Sequence, residues 1–370
     1  MIKVLHVISD TGIGGAGVLL SNCLHHANTA RFSYSVALPK GSLLAIRLGE
    51  MGVRTIPLEG LADRSADPAA IPALLALIKQ ERPAVLHTHA GLSARIAGVM
   101  AHVPVRVNTK HCLTGNGGGK RLRGGMENLL STHFIATAEA AAETLLASGV
   151  HRMKIHIIPN GSDPVLPLSN EQKRQLKKEL GIPDDAFVVG MAARMERGKG
   201  QEILMEAARL CLSQEPSVYF LLAGTGSMEK ELRGKVAAYG LSKSINFVGF
   251  REDVGRIINL FELNVNCSYI SETSSLSLSE GMSLGIVPVV SRVGGNPFMA
   301  DFGRCGVVVP PRDPEALAAA ILALFHAPKA HAELSRRCLA HYRENFRAEE
   351  MARRTEELYL SALAKASIDK

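Results

Sequence analysis

Two α/β domains, each built on a parallel sheet with helices on both faces, are the fold this sequence predicts. Three observations predict it. Strand-like apolar runs alternate with helical stretches along the whole chain. The alternation pauses at a proline cluster (Pro159, Pro164, Pro167) and restarts at Phe187. A length of 370 residues also exceeds the usual size of one core.

The first half opens on Lys3-Val4-Leu5-His6-Val7-Ile8-Ser9, a buried-strand run. The glycine-rich turn Gly12-Ile13-Gly14-Gly15-Ala16-Gly17 follows, then a helical stretch over Val18 to Ala27. Tyr34 to Pro39 and Arg54 to Pro57 read as strands. Asp67-Pro68 starts a helix, with the acid as N-cap and proline at the first helical position. That helix ends before Pro83, and Ala84 to His87 is the next strand. Val105 to Asn108, Phe134 to Ala136 and Ile155 to Ile158 continue the series. After Asn160-Gly161-Ser162-Asp163-Pro164, Ser169 and Gln172 form a capping box for a polar helix that Gly181 ends. The pattern restarts with Phe187 to Met191, a helix over 200–213, the strand Val218 to Ala223 and the turn Gly224-Thr225-Gly226. Asn246 to Gly249, Leu263 to Cys267 and Val287 to Ser291 read as strands, and Asp313-Pro314 caps another helix. These signals divide the chain into a first domain 1–164, a linker 165–185, a second domain 186–342 and a tail 343–370. Ligands of such sheets bind outside the carboxyl ends of the strands, so a cleft faced by both domains is the expected site.

Bulk properties narrow the function. Hydrophobic residues make up 46% and charged residues 21%, ordinary for a globular protein. No run of about 18 apolar residues predicts a membrane span, and the N-terminus lacks the apolar region of a signal peptide, which points to the cytoplasm. The six cysteines (Cys23, Cys112, Cys211, Cys267, Cys305, Cys338) are scattered without a CxxC pair, against both a zinc cluster and a disulfide framework. A formal charge of +7 suits phosphate-bearing partners. Tryptophan is absent and aromatics are 5%, so no nucleic-acid stacking surface is expected.

The residues best suited to chemistry lie in Ser271-Glu272-Thr273-Ser274-Ser275-Leu276-Ser277-Leu278-Ser279-Glu280-Gly281-Met282. Were all of it helical, the two acids would stand about 80° apart and two turns distant. A helix beginning near Ser274 instead leaves Glu272 before the first turn, Glu280 inside the helix, and the N–H groups of Leu276 and Ser277 between them. Such an N-terminus favours an anion. A phosphate flanked by hydroxyl-binding acids is the layout of a nucleotide sugar. Upstream, Arg194-Met195-Glu196-Arg197-Gly198-Lys199-Gly200 follows a strand, and Arg194 and Lys199 can neutralise a diphosphate there, although a basic turn is equally a solvated one. Gly12, Gly14, Gly15 and Gly17 allow close backbone approach to a phosphate. A dehydrogenase would share that turn, but no acid follows at the spacing that holds an NAD ribose. His87-Thr88-His89 and His111 end two strands and should face the cleft. HxH hints at a metal, yet no third ligand is recognisable, and no metal is expected. The stretch Gly115 to Gly125, with Lys120, Arg121 and Arg123, reads as a mobile basic loop.

On these residues, and over nearly its full length, the chain resembles the retaining GT-B glycosyltransferases of family GT4 (glycosyltransferase group 1). The turn 12–17 is similar to the family's N-terminal loop, and Asn160-Gly161-Ser162-Asp163 to its Asn-Gly-hydrophobic-Asp. Arg194 and Lys199 match its phosphate-binding cations, and Gly224-Thr225-Gly226 its mid-domain turn. Glu272 and Glu280 match its Glu-x7-Glu signature. His111, in Asn108-Thr109-Lys110-His111, falls where these enzymes place a histidine near the transferred sugar. The tail Phe346 to Leu363 resembles their C-terminal helix that crosses back to the first domain.

The resemblance implies two Rossmann-like domains around a central cleft and transfer of a hexosyl group from a nucleotide diphosphate sugar, UDP-linked in preference to GDP-linked. The acceptor would be a glycan, a lipid-linked sugar or a small molecule in cell-envelope synthesis, and no cofactor is needed. Glu272, His111, Arg194 and Lys199 would act in catalysis. Gly14, Gly15, Gly224, Phe250, Arg251, Leu276, Ser277 and Glu280 would hold the donor, Glu280 through the ribose. His89, Lys120, Arg121 and Arg123 would meet the acceptor, and the basic stretch with Leu122, Met126, Leu129 and Leu130 would touch an anionic membrane. The chain departs from the family at Thr273, where glycine is usual, and at Phe298, where glutamate commonly follows Gly294-Gly295-Asn296-Pro297. A GT-B sugar-nucleotide 2-epimerase and a non-catalytic sugar-nucleotide-binding subunit are the alternatives.

Overall fold

The computed structural model describes residues 1–61, 66–89, 91–111 and 120–368, with 120–123 described by backbone alone. The chain forms two compact units: Met1–Gly161 with Ala348–Lys370, and Ser162–Arg347.

The first unit carries a seven-stranded sheet of β1 (Ile2–Ile8), β2 (Phe32–Pro39), β3 (Arg54–Leu58), β4 (Val85–His89), β5 (Val105–Lys110), β6 (His133–Ala136) and β7 (Ile155–Ile157). All pairs are parallel, in the order β3-β2-β1-β4-β5-β6-β7. Central strands are buried on both faces: Leu5, Val36, Leu38, Val85 and Leu86 are fully covered, as unbroken apolar runs require in a parallel sheet. The order reverses direction between β1 and β4, where such sheets open a crevice at their carboxyl ends. The helix Ala348–Ile368 belongs to this unit and buries Met351, Leu358, Tyr359 and Ala362. Glu356 on its polar edge accepts hydrogen bonds from the Tyr34 hydroxyl and the Asn28 amide, both at 2.7 Å.

The second unit repeats the plan with β8 (Phe187–Ala192), β9 (Val218–Ala223), β10 (Ile245–Phe247), β11 (Leu263–Asn266), β12 (Val287–Ser291) and β13 (Val307–Val309). The order is β10-β9-β8-β11-β12-β13, with the reversal between β8 and β11. Gly190 on β8 is required by packing, since a Cβ there would stand 2.2 Å from the Phe261 ring.

Three expectations need correction. Residues 165–185, read as the linker, fall within the second unit: the helix Asn170–Glu179, capped as expected by Ser169 and Gln172, buries Leu176 beside Ile182, Val188 and Tyr219 in that unit's core. The tail from 343 divides, for 343–347 stays in the second unit and only Ala348 onward joins the first. Gly115 to Gly125 is not one loop. Residues 115–119 lie outside the described ones, and Lys120–Leu130 is helical. Gly124 explains why a Gly-Gly pair does not break it. A Cβ there would stand 2.3 Å from the Ser148 carbonyl oxygen, so the helix uses glycine to approach a neighbouring backbone. The buried ion pair Arg95–Glu127 anchors the same helix.

Candidate functional site

In the second unit the candidate donor residues gather on the loops that leave the carboxyl ends of β8 to β11. The helix after β11 runs Leu276–Ser283, and the Ser275 hydroxyl caps it by accepting from the Leu278 amide. Glu272 therefore precedes the first turn and half-buried Glu280 lies within the helix. The first-turn amides of Leu276 and Ser277 have no intrahelical acceptor, which is the geometry that favours an anion.

Glu272 is held from three directions. Its Oε2 accepts from Lys199 Nζ at 2.9 Å, Ser268 Oγ at 3.0 Å and Asn266 Nδ2 at 3.1 Å. Its backbone carbonyl accepts from the Gly295 amide at 3.1 Å, so the Gly294-Gly295-Asn296-Pro297 loop fixes the main chain of the same residue. One carboxylate oxygen is thus saturated by donors that fix the group's orientation.

The loops after β8 and β9 are stitched together. The Met195 amide donates to the Thr225 carbonyl (2.8 Å), and the Met228 amide to the Met195 carbonyl (2.9 Å). Glu196 accepts from the Ser227 hydroxyl (2.6 Å) and amide (3.0 Å), which holds its carboxyl below the usual range. Gly224 makes the approach possible: its φ is +128°, and a Cβ would meet the Ala193 carbonyl oxygen at 2.1 Å. Arg194 is exposed at this junction. The Gly224 amide donates to Gly249 (2.7 Å), which brings Phe250, 72% exposed, beside the turn. Arg251 is engaged in a bidentate pair with Asp253 at 2.7 Å. Of the two departures, Thr273 is buried, and Phe298 packs its ring against His341 and Phe346 with centroids 5.3 and 5.5 Å apart.

In the first unit the glycine turn is shorter than expected, because the helix Gly15–His25 already includes Gly15 and Gly17. Gly12 and Gly15 have nothing within 4 Å of an added Cβ among the described residues, so packing does not require them. Beside this turn stands a cluster of histidines that the register builds. His6 pairs with His87 and Ile8 with His89 across β1 and β4, while His89 pairs with Thr109 across β4 and β5. The two-residue period puts His87, His89, Thr109 and, one step past β5, His111 on one face.

The ring nitrogens are largely spent on each other. His6 Nδ1 meets His89 Nε2 at 3.1 Å, and His89 Nδ1 meets His111 Nε2 at 3.1 Å. His87 bonds the Tyr359 hydroxyl (2.5 Å) and the Thr109 hydroxyl (2.6 Å), tying the C-terminal helix to the sheet. A cavity of about 30 Å³ adjoins them, lined also by Asn160 and Thr355. Burial pushes His6 down to about 3 and His111 to about 4, and it holds His87 and His89 well below the ordinary value. Nitrogens of His6, His87 and His89 lie within 4.8 Å of one another. The set suits a hydrogen-bond network better than a cation: both His87 nitrogens are engaged, and the group includes no carboxylate or thiolate to offset a buried charge. His89, expected to touch an acceptor, is 6% exposed with each nitrogen against another ring. The side chains of Lys120, Arg121 and Arg123 lie outside the described residues.

Two family models cover most of the chain. "Glycosyltransferase Family 4" matches residues 13–166, and "Glycosyl transferases group 1" matches residues 172–339. The chain belongs to glycosyltransferase family 4. Among its relatives is the UDP-Gal:alpha-D-GlcNAc-diphosphoundecaprenol alpha-1,3-galactosyltransferase of Escherichia coli, 28% identical over 62% of this chain and 63% of that protein. The D-rhamnosyltransferase WbpZ of Pseudomonas aeruginosa is 32% identical over 54% of this chain and 51% of that protein. The chain thus spans between half and two thirds of the length of these curated relatives. Anabaena HepE (Alr3699), solved with UDP, superposes with a TM-score of 0.85 over 98% of this chain and 100% of that one at 20% identity, which shows the GT-B fold.

For this family-4 protein, sequence reasoning missed Asn266 and Ser268, the two uncharged donors to Glu272. A signal existed in Leu263-Asn264-Val265-Asn266, where two asparagines interrupt an otherwise apolar, fully buried strand. It also missed His6 as the far end of the histidine string.

Proposed function

We propose that this family-4 glycosyltransferase moves a hexosyl group, with retention, from a UDP-sugar (a GDP-sugar being the second choice) to a hydroxyl of a glycan or lipid-linked acceptor. The observation that carries the reading is the Glu272 carboxylate, fixed through Oε2 by Lys199, Ser268 and Asn266 immediately before a helix N-terminus. HepE structures that hold UDP and UDP-glucose, and a relative named for UDP-Gal and a diphosphoundecaprenol acceptor, support the donor and acceptor classes.

In this reading the sugar hydroxyls bind Glu272 and the ribose hydroxyls bind Glu280. The diphosphate lies on the Leu276 and Ser277 amides with Arg194 and Lys199. An ammonium has three donors, and the Glu272 bond uses one, so Lys199 can hold the carboxylate and a phosphate oxygen together. As the bond from the anomeric carbon to the phosphate oxygen breaks, negative charge grows on the diphosphate, where these preorganised donors stabilise it. The acceptor hydroxyl forms the new bond on the same face and gives its proton to the departing phosphate oxygen. His111 supplies a neutral imidazole beside the sugar. On the helix Lys120–Leu130, Met126 and Leu129 are 44% and 65% exposed, and they offer a shallow apolar contact for an anionic membrane that carries a lipid-linked acceptor.

A panel of UDP-, GDP- and ADP-sugars tests the reading by thermal stabilisation and by release of nucleoside diphosphate with and without lipid-linked acceptors. Stabilisation by a UDP-sugar and acceptor-dependent UDP release are expected. Release of UDP with epimerised free sugar in the absence of acceptor would overturn it in favour of an epimerase.

A further inference from the structure

The fully buried strand β11 sets two asparagines on one face, and the contacts to Glu272 use only one of them. Asn266 donates to the Glu272 carboxylate. Asn264, two residues back and therefore on the same face, is 0% exposed and donates through Nδ2 to the main-chain carbonyl of Ser277 at 2.7 Å. Its Oδ1 has no hydrogen-bond partner among the described residues. A leucine of similar size would leave no such orphan, so core packing alone does not call for asparagine here.

The carbonyl that Asn264 reaches belongs to the first turn of the helix Leu276–Ser283. A helix carbonyl ordinarily accepts from the amide four residues on, which for Ser277 is Gly281. Residues 277 and 281 share one face of the helix, and Gly281 leaves that face without a side chain. The Asn264 amide fills the gap. A Cβ on Gly281 would stand 2.7 Å from Asn264 Nδ2, 3.5 Å from its Cγ and 3.6 Å from its Cβ. Gly281 lies inside a regular helix, so its backbone conformation does not demand glycine; the space does.

We infer that Asn264 and Gly281 form a peg and slot that sets the depth and axial position of the helix Leu276–Ser283 on β11. The pair thereby places the Leu276 and Ser277 amides and Glu280, the residue before the slot. Both are positioning residues for the nucleotide. With Asn266 on the same strand face, one rigid strand holds the Glu272 carboxylate and the anion-binding end of the helix at a fixed separation. The positioning role rests on the reading that this helix holds the diphosphate and ribose; the fit of peg to slot does not.

Calorimetric titration of UDP into the full chain tests the inference in Gly281→Ala, Asn264→Ala, the double variant and Glu280→Gln. In Gly281→Ala the helix must retreat by roughly 0.7 Å before the new Cβ reaches ordinary contact distance from Asn264. UDP binding should weaken about tenfold, the effect of misplaced donors. Alanine is otherwise the better helix former, so a weakened helix would not account for that loss. Asn264→Ala should weaken UDP about threefold, the size of one lost orienting hydrogen bond. The double variant should bind UDP more tightly than Gly281→Ala, because the peg that met the new Cβ is gone. A contact that merely stabilised the fold would make the double variant the weaker of the two. A double variant weaker than Gly281→Ala would overturn the inference. So would UDP affinity unchanged in folded Gly281→Ala while Glu280→Gln weakens it. Affinity unchanged in both would overturn the reading of this helix as the nucleotide site, and the positioning role with it. Should Gly281→Ala fail to fold, recovery of folding in the double variant upholds the fit, and wild-type UDP affinity in Asn264→Ala overturns the positioning role.

Discussion

Replacing Lys199 with methionine tests the clamp on Glu272 and the phosphate role of Lys199 in one set of proteins. The Nζ to Oε2 distance is 2.9 Å, and the two side chains are 27% and 10% exposed. At that distance the attraction is about 6 kcal/mol at an effective dielectric of 20 and about 1.4 kcal/mol in bulk water. The pair lies between these limits, and ordering the lysine side chain costs up to about 2 kcal/mol. A net coupling of about 1–3 kcal/mol follows. In a cycle of Lys199→Met, Glu272→Gln and the double variant, the two single losses should exceed the double loss by that amount. Urea unfolding followed by circular dichroism measures it, because the chain has no tryptophan for fluorescence. Additivity within about 0.5 kcal/mol would refute the coupling. Turnover separates the second role: Lys199→Met should lower kcat by about 10²-fold, the size of one lost donor to a developing anion. Unchanged kcat beside a measured coupling would leave Lys199 as a clamp for Glu272 alone.

Glu280→Gln should raise the KM for the donor about tenfold with little change in kcat, because a ribose contact is made equally in ground and transition states; a pure kcat defect would contradict it. Burial holds His6 and His111 at about 3 and about 4, below the ordinary 6.5. As pH falls, the unfolded chain therefore takes up protons first, so the stability these neutral rings contribute is complete above pH 6.5 and is lost toward pH 4. The urea midpoint should drop between pH 7 and 5 and drop less in His6→Asn; equal drops would count against a buried neutral His6. Cosedimentation with anionic vesicles should fall at high salt and in Met126→Ser/Leu129→Ser, whereas equal weak binding to neutral and anionic vesicles would exclude membrane docking by this helix.

What could be read from the sequence follows from the range of the forces involved. Buried parallel strands appear as apolar runs, so β1, β2, β9 and β12 were legible from local pattern. The spacing of Glu272 and Glu280 was legible because both flank one helix start with a serine cap. The Lys120–Leu130 helix was misread, since Gly124 breaks a helix by propensity, while tertiary packing needs its missing Cβ beside Ser148. Asn266 and Ser268 could not be assigned to Glu272 from spacing. Their hydrogen bonds depend on where β11 ends relative to the loop that follows it. His6 was hidden for a related reason, because only the pairing of β1 with β4 places it within reach of His89.

The two units use the same topological position for opposite electrostatics. In each sheet the order reverses beside the first strand, between β1 and β4 or between β8 and β11, and the chemistry-bearing residues collect there. At the second unit's reversal stand charges: Arg194 and Lys199 after β8, and Glu272 after β11. At the first unit's reversal stand His6 on β1 and His89 on β4, buried, neutral and bonded ring to ring. A diphosphate needs fixed positive charge, whereas sugar and acceptor hydroxyls are uncharged and need oriented donors and acceptors. An ionised group buried among the histidines would have to be desolvated without a counter-charge, a cost their depressed protonation avoids. Oriented imidazoles supply direction without that cost. Under the proposed function, the anionic part of the substrate would bind the second unit and the neutral, orientation-sensitive part the first. The contrast predicts that substitutions among the histidines alter turnover and acceptor choice while leaving the affinity for free nucleoside diphosphate intact.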